Sequence, residues 1–493
     1  MAEPRYPALY QINTRVLLTE LGGPGRPATL DDVPDEMLDQ IAGHGFDWVW
    51  LLGVWCTGAA GRRVSRSDRA WREEFVRALP DLTDDDICGS CFAVTGYTVS
   101  PALGGDAAMQ RFRQRLRSRG LKLMLDFVPN HMALDHPWVD EHPDWFVAGS
   151  EDDLAREPRN WVRHVSARRS AIFAYGRDPY FPGWPDTLQL NYGNPDLQQA
   201  MQGELVRIAR MADGVRCDMA MLILPEVFRR TWKIPIEPFW FDAINAARRA
   251  NPDFRLMAEV YWDLEWALQQ LGFDWTYDKR LYDRLRGRVA REVRDHLVAG
   301  LDFQDKLARF LENHDEPRAA AAFPPGMHDA AAIVTYLAPG LRFFHDGQLD
   351  GRRIRLPVHL CRRPAEPTDP TLSRFYEQLL DLLKAPELRD GTWSRLEPQA
   401  AWDGNRTWDG FVACVWRGAG KGRRLVVVVN YAPTDGQCHL RLPFPELARR
   451  RVALSDLTGS AAYDREGSSL ISPGLYLDMP GWGYHVFALE ELG

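Results

Sequence analysis

Eight short apolar runs rich in β-branched and aromatic residues, separated by longer amphipathic stretches, constrain this chain more than any other feature. The runs are ALYQIN (8–13), FDWVWLL (46–52), LKLMLDF (121–127), DGVRCD (213–218), FRLMAEV (254–260), FDWTYD (273–278), LARFLEN (307–313) and IVTYLAPGLRFFH (333–345). Near-continuous apolar strands belong to parallel sheets buried on both faces, and the alternation with helices supplies the cover. In 106–120, Met109, Phe112 and Leu116 recur at three- and four-residue spacing with arginines on the other face, and Gly120 ends the helix. Segments 194–212 and 238–251 are amphipathic in the same way. Eight such units predict an α/β chain built on a (β/α)8 TIM barrel, an architecture that needs about 250 residues in its plain form.

The chain has 493 residues, and single cores stop growing near roughly 250 to 300. The surplus goes to two places. Segment 132–190, after the third strand, is rich in Pro, Trp, Asp and Arg without a sustained period, and reads as an irregular subdomain on the C-terminal rim. After TLSRFYEQLLDLLK (371–384), which reads as the last barrel helix, come GFVACVWRG, RRLVVVVNYAP, CHLRLPF and YHVFAL, short strands broken by Gly, Pro and Asp. The expected division is therefore a barrel in two parts, 1–131 and 191–388, an inserted subdomain at 132–190, and a C-terminal all-β sandwich at 389–493.

Barrel active sites sit at the C-terminal ends of the strands, so polar residues that interrupt those ends carry information. Strand three ends with Asp126, Asn130 and His131, strand four with Arg216 and Asp218, strand five with Glu259, and strand seven with Asn313, His314, Asp315 and Arg318. Carboxylates with arginine and histidine, and no Cys or His cluster, suit glycosidic cleavage. One carboxylate attacks the anomeric carbon while a second, kept protonated, donates to the leaving oxygen. Double displacement needs the two about 5 to 5.5 Å apart, which adjacent strands can supply. Asp218 and Glu259 meet that condition. Arg216, two residues before Asp218, shares its face of the strand and is expected to hold it ionised, while neighbouring carboxylates raise Glu259. Cys217, between them, points to the helix side.

DFVPNH, GVRCD, AEVYW and ENHD, in this order and at these spacings, resemble the four signature regions of glycoside hydrolase family 13, the α-amylase family. TLQLNYGNPDL (187–197) is similar to the extra signature near the end of that family's inserted subdomain. The resemblance implies retention of α-configuration, with Asp218 as nucleophile, Glu259 as acid/base and Asp315 as the third carboxylate, which binds and distorts the sugar. It also implies that His131, Arg216 and His314 contact that sugar, with Asp126 and Asn130 supporting the site. Asn130 matches a calcium ligand in some members, so calcium is allowed, and no cofactor is required.

The chain departs from the family at two places. Where many members carry Tyr and then Asp after strand two, this one has Phe92 and Ala93, which keeps a stacking ring and loses a polar contact. Where starch-acting members often carry Lys and His after the nucleophile, it has Met221 and Leu222, which predicts an apolar leaving-group side. Hydrolysis of α-glucosides or α-glucans and transfer or isomerisation with a sugar acceptor both remain open. A non-catalytic carbohydrate-binding barrel is the third reading.

Composition narrows the partners. A net charge of -8, from 60 basic against 68 acidic side chains, argues against nucleic acid or an anionic membrane. No stretch approaches about 18 apolar residues. Seven cysteines are an odd count without a framework, and Cys88 and Cys91 have no second pair at zinc-ligand spacing. The start, MAEPRYPALYQ, has no basic segment followed by an apolar one, so the expectation is a cytoplasmic protein. The 18 Trp divide by position. Trp48, Trp50, Trp402, Trp408 and Trp416 are expected in cores, whereas Trp138, Trp145, Trp161, Trp184 and Trp262 fall where a sugar face could meet them.

Overall fold

The computed structural model describes residues 3–23, 27–166, 170–419 and 422–492. Eight parallel strands close a barrel in chain order. They are β1 (Ala8–Asn13), β2 (Trp48–Leu52), β3 (Lys122–Phe127), β4 (Gly214–Cys217), β5 (Arg255–Ala258), β6 (Trp275–Tyr277), β7 (Leu307–Arg309) and β8 (Leu341–His345). Closure comes from β1 against β8, with Ala8 opposite Arg342 and Gln11 opposite His345. A helix follows each strand, for example Gly105–Arg117 after β2, Pro195–Met211 after β3 and Pro370–Leu383 after β8. In the first of these, Met109, Phe112 and Leu116 are buried, as their spacing predicts.

The eighth apolar run divides. Residues 333–336 finish the helix Met327–Tyr336, and only Leu341–His345 form the strand. That helix is buried from Ala330 to Tyr336 on every face, so it lacks the polar stripe that separates a buried helix from a buried strand. Gly340 makes the turn between them at φ 119°, and a Cβ there would lie 2.2 Å from the Leu307 carbonyl oxygen.

Two excursions rise from the C-terminal ends of the strands. After β3, His131–Ala133 pairs antiparallel with Thr187–Gln189, and Trp161–Val165 forms a hairpin with Ser170–Ala174. After β2, residues 53–104 carry the helices Ala59–Ser67 and Arg69–Ala78, an excursion the periodicity does not announce.

Beyond the last barrel helix lie a six-stranded and a three-stranded antiparallel sheet. The apolar run Arg424–Asn430 is buried on both faces. Val426 and Val428 pack between the two sheets, while Val427 and Val429 join the barrel's core. Trp416 and Tyr431 fasten the contact by donating to the carbonyls of Leu337 and Leu285, each at 2.8 Å. Trp402 leaves the expected core position and is 53 % exposed.

Candidate active site

One arginine organises the catalytic end of the barrel. Arg216, on β4, is 0 % exposed, and its guanidinium lies over the rings of Phe92, Trp50 and Tyr277 at 5.1, 5.5 and 5.8 Å. A buried guanidinium requires partners. Its Nη1 donates to Asp218 at 2.6 Å and its Nη2 to Glu259 at 2.7 Å, with Nε 3.3 Å from the Tyr277 hydroxyl. The two carboxylates are brought together by strand register. Cys217 pairs with Ala258 across β4 and β5, so Asp218 and Glu259 stand one step further along adjacent strands, which run about 4.8 Å apart. Cys217 is buried between them, on the opposite face from Arg216 and Asp218.

Glu259 collects three donors. Arg216 and the Met219 amide, at 2.8 Å, bind its Oε2, and the Tyr261 hydroxyl binds Oε1 at 2.8 Å. Met219 holds φ 41°, a region unusual for a residue with a side chain, and its amide lies on the acid. Burial pushes Glu259 up to about 7, Arg216 opposes it, and the charges of Asp218 and Asp315 add to the rise. Asp218 is raised as well, because burial outweighs Arg216. The expectation that Arg216 holds Asp218 ionised is met in position, since it does lie on that acid, but burial still raises Asp218. The cation is divided between two acids.

Asp315 opens to the pocket, with its side chain 44 % exposed, and its Oδ2 lies 3.0 Å from His314 Nε2. Its desolvation is outweighed by His314 and Arg216, which bring the carboxyl down to about 2. His314 Nδ1 lies 2.8 Å from Gln11 Nε2 on β1. His131 is buried beside Trp184, ring centroids 5.0 Å apart, and burial takes it down to about 3, so it is neutral.

These groups surround a cavity of about 320 Å³ lined by Asp218, Glu259, Asp315, His131, Phe92 and Trp184, together with Tyr261, Met219, Asp186, Thr187, Ser90, Trp71, Val358 and His359. Asp126 does not line it. That carboxylate is buried behind the wall, where it accepts from Trp50 Nε1 and the Gly53 amide, both at 3.1 Å, so it braces β2 against β3 and does not face a sugar. A larger cavity of about 630 Å³ shares Met219 and Tyr261 with the first. Trp262 and Phe181 line it, along with Asp263, Glu265, Lys279, Arg280 and Arg284.

Met221 and Leu222 reach neither cavity. They are buried in the turn Ala220–Ile223 and so give neither cavity an apolar wall; the larger cavity is lined by charged and aromatic side chains. The left-handed Met219 redirects the chain, so a count along the sequence from Asp218 does not track which side chain faces outward. Of the five tryptophans offered to a sugar, Trp184 and Trp262 line cavities. Trp138 and Trp145 pack edge to face on each other at 4.8 Å, and Trp161 on Trp232 at 6.4 Å.

Sequence reasoning missed Gln11, Tyr261, Trp71, His359 and Asp186. Gln11 obeys the rule that found the acids, a polar residue interrupting an apolar strand, and Tyr261 lies two positions beyond Glu259. Trp71, in the helix Arg69–Ala78 of the excursion after β2, and His359, from a long connection, lie with their rings tilted at 4.4 Å.

A calcium ion does not fit Asn130. Its Nδ2 donates to Gln189 Oε1 at 3.1 Å, while its Oδ1 accepts from Gln189 Nε2 at 3.0 Å. Among the described residues no group of three His, Cys, Asp or Glu is placed to hold a metal.

Residues 92–272 match the family model described as alpha amylase, catalytic domain. The chain is 24 % identical over 302 residues to Alpha-amylase 3 of Dictyoglomus thermophilum, covering 57 % of each chain. It is 33 % identical over 265 residues to an alpha-1,4-glucan:maltose-1-phosphate maltosyltransferase of Burkholderia pseudomallei, 51 % of this chain and 19 % of that one. It thus spans little more than half the length of the first relative and about a fifth of the second. Its fold superposes on a noncanonic maltogenic alpha-amylase from Thermotoga neapolitana with TM-score 0.68 at 18 % identity, covering 99 % of both chains. The matched catalytic domain and the likeness to curated alpha-amylases indicate glycoside hydrolase family 13, the α-amylase family, while the shared barrel shows the fold.

Proposed function

We propose that the chain is a retaining enzyme of α-glucosides or α-glucans that works by double displacement through a covalent glycosyl–enzyme. Asp218 attacks the anomeric carbon, and Glu259 gives its proton to the departing oxygen and then removes one from the incoming hydroxyl. Asp315 and His131 hold the sugar, His314 holds Asp315 from behind, Phe92 offers the sugar an aromatic edge, and Trp262 meets the departing or arriving group. The observation that carries this reading is the single guanidinium shared by Asp218 and Glu259. It lets one acid ionise while the other, pushed up to about 7, keeps its proton near neutrality.

The experiment is to trap the intermediate with a fluorinated α-glucosyl fluoride and map the modified peptide by mass spectrometry. One glycosyl group per chain on Asp218, absent in Asp218→Ala, is the expected result. Rapid turnover without a trapped glycosyl group, or a label on another residue, sinks the assignment. Asp218→Asn is expected to lose about 10⁴-fold or more in kcat while circular dichroism is unchanged.

Transfer to a sugar acceptor is the second reading, and the 630 Å³ cavity past Met219 and Tyr261 favours it, because an acceptor seated there competes with water. Product analysis with added glucose or maltose separates the two: free sugar alone means hydrolysis, new oligosaccharides mean transfer. The seven unbridged cysteines support a reducing compartment. Among the described residues no helix is long and apolar enough to cross a membrane.

A further inference from the structure

The central pocket holds a fourth carboxyl that the chemistry above leaves unused. Asp186 stands just before the short strand Thr187–Gln189 and lines the pocket beside Trp184, Thr187 and His131. It is 3 % exposed, and its Oδ2 has no hydrogen-bond partner among the described residues. Asp218, Glu259 and Asp315 each have a cation or a ring nitrogen beside them. Among the described residues no cation acts on Asp186: burial carries it up to about 7, opposed by its own backbone amide. The wall around it is small and apolar. A Cβ built on Gly61 would stand 3.6 Å from the Asp186 Cβ and 3.4 Å from that of Ala93.

Buried polar atoms are as a rule satisfied, and an exception in a pocket wall points to a partner that arrives with the ligand. The two cavities say where in the ligand that partner lies. The larger one shares Met219 and Tyr261 with the catalytic pocket, and in the function proposed above the leaving group lies past those two residues. Asp186, Trp184, Trp71 and His359 line only the smaller cavity. A sugar with its anomeric carbon at Asp218 and its leaving group past Tyr261 turns its remaining hydroxyls toward this unshared wall.

We propose that Asp186 is a substrate-binding residue that hydrogen-bonds a ring hydroxyl remote from the anomeric carbon, so that the pocket selects a terminal glycosyl residue whose hydroxyl at that wall is free. The proposal rests on the glycosidase reading above and adds to it a preference for chain ends over internal linkages. A carboxyl near half-protonation suits this task, since it accepts from the hydroxyl when ionised and donates to it when protonated.

The test is kcat/KM for α-glucosyl fluoride and for its 4-deoxy and 6-deoxy analogues, measured on the native chain, Asp186→Asn and Asp186→Ala. The native chain is expected to lose about 10- to 100-fold on one of the two analogues, the cost of an unmade hydrogen bond to an acid. In Asp186→Ala that ratio is expected to fall to near one, and in Asp186→Asn to an intermediate value. A merely structural role would lower all three substrates together and leave the ratios intact, which would overturn the proposal. So would a native chain that does not discriminate. If Asp186→Ala does not fold, the isosteric Asp186→Asn decides by the same ratio. Labelling of Asp218 in the same preparations keeps the two ideas apart. Native chain that is not labelled fails the glycosidase reading, whereas labelled chains with unchanged ratios fail only the role of Asp186.

Discussion

Arg216 and Arg309 are both fully buried, stand on strands of the same barrel and hold carboxylates, yet they do opposite work. Arg216 is one cation among Asp218, Glu259 and the nearby Asp126 and Asp315. Arg309 donates to Asp278, which His296 also approaches at 2.9 Å, and its remaining donors reach Gln304 and the Pro339 carbonyl. Burial works against the Asp278 charge, but His296 and Arg309 together overcome it and pull the carboxyl well below its ordinary range. The ingredients match and the stoichiometry differs. Where carboxylates outnumber the arginine, one of them keeps a proton it can give away; where one carboxylate has an arginine to itself, with a histidine beside it, the carboxylate stays ionised and only fastens elements together.

The largest expected effect lies on the Arg216 side. Glu259→Gln keeps the shape and removes the transferable proton. It should cost about 10² to 10⁴ in kcat/KM on substrates with alkoxide leaving groups, and far less on glycosyl fluorides, which need no proton. In the native chain, protonated Glu259 is required for the first step, so kcat/KM should fall as pH rises through about 7. It should also fall at low pH, where Asp218 takes up a proton above the usual carboxylate value. An alkaline limb that persists unchanged in Glu259→Gln would break the contrast.

The Arg309 side should respond in stability. Asp278→Asn leaves Arg309 and His296 buried without their counter-charge and is expected to cost about 3 to 5 kcal/mol of unfolding free energy, read by urea titration. Asp278 is depressed in the folded chain, so its contribution is present above its unfolded pKa and is lost as pH falls toward the folded value. The difference between native and Asp278→Asn should therefore narrow in acid. Activity per folded molecule should drop much less than in Glu259→Gln, and an equal loss would erase the distinction between the two arginines.

How far the sequence reveals this contrast depends on where each residue sits in its element. Asp218, Glu259 and Asp315 are legible because each interrupts or closely follows an apolar run, and the register of β4 and β5 makes two of them neighbours. The sharing of Arg216 is not legible, since periodicity places a side chain on a face and says nothing of which acid across the sheet it reaches. His359 and Asp186 come from connections without a period, so nothing local sets them apart from surface residues, and Trp71 stands in a helix of the excursion after β2, outside the eight apolar runs. Met221 and Leu222 misled for a backbone reason: one left-handed residue after β4 turns their side chains into the core.

A third buried polar contact carries no charge and marks the neutral limit of the same comparison. Asn130 and Gln189 exchange amide hydrogen bonds, and Gln189 Nε2 also reaches the carbonyls of Asn130 and Leu190 at 2.9 and 3.1 Å. The clasp joins the end of β3 to the close of its excursion, which is the mechanical duty a bound cation could otherwise perform. Calcium takes six to eight oxygens, several of them carboxylate, and here the one amide oxygen is already accepting. A ligand that stabilises only the folded chain must raise its thermal midpoint in proportion to its occupancy. Chelator and millimolar calcium are therefore both expected to leave the midpoint within about 1 °C of its value in plain buffer, whereas Gln189→Ala should cost about 1 to 3 kcal/mol through the amide left unpaired. A calcium-dependent rise in the midpoint of the native chain would show that a cation, and not this neutral pair, closes the excursion over the site.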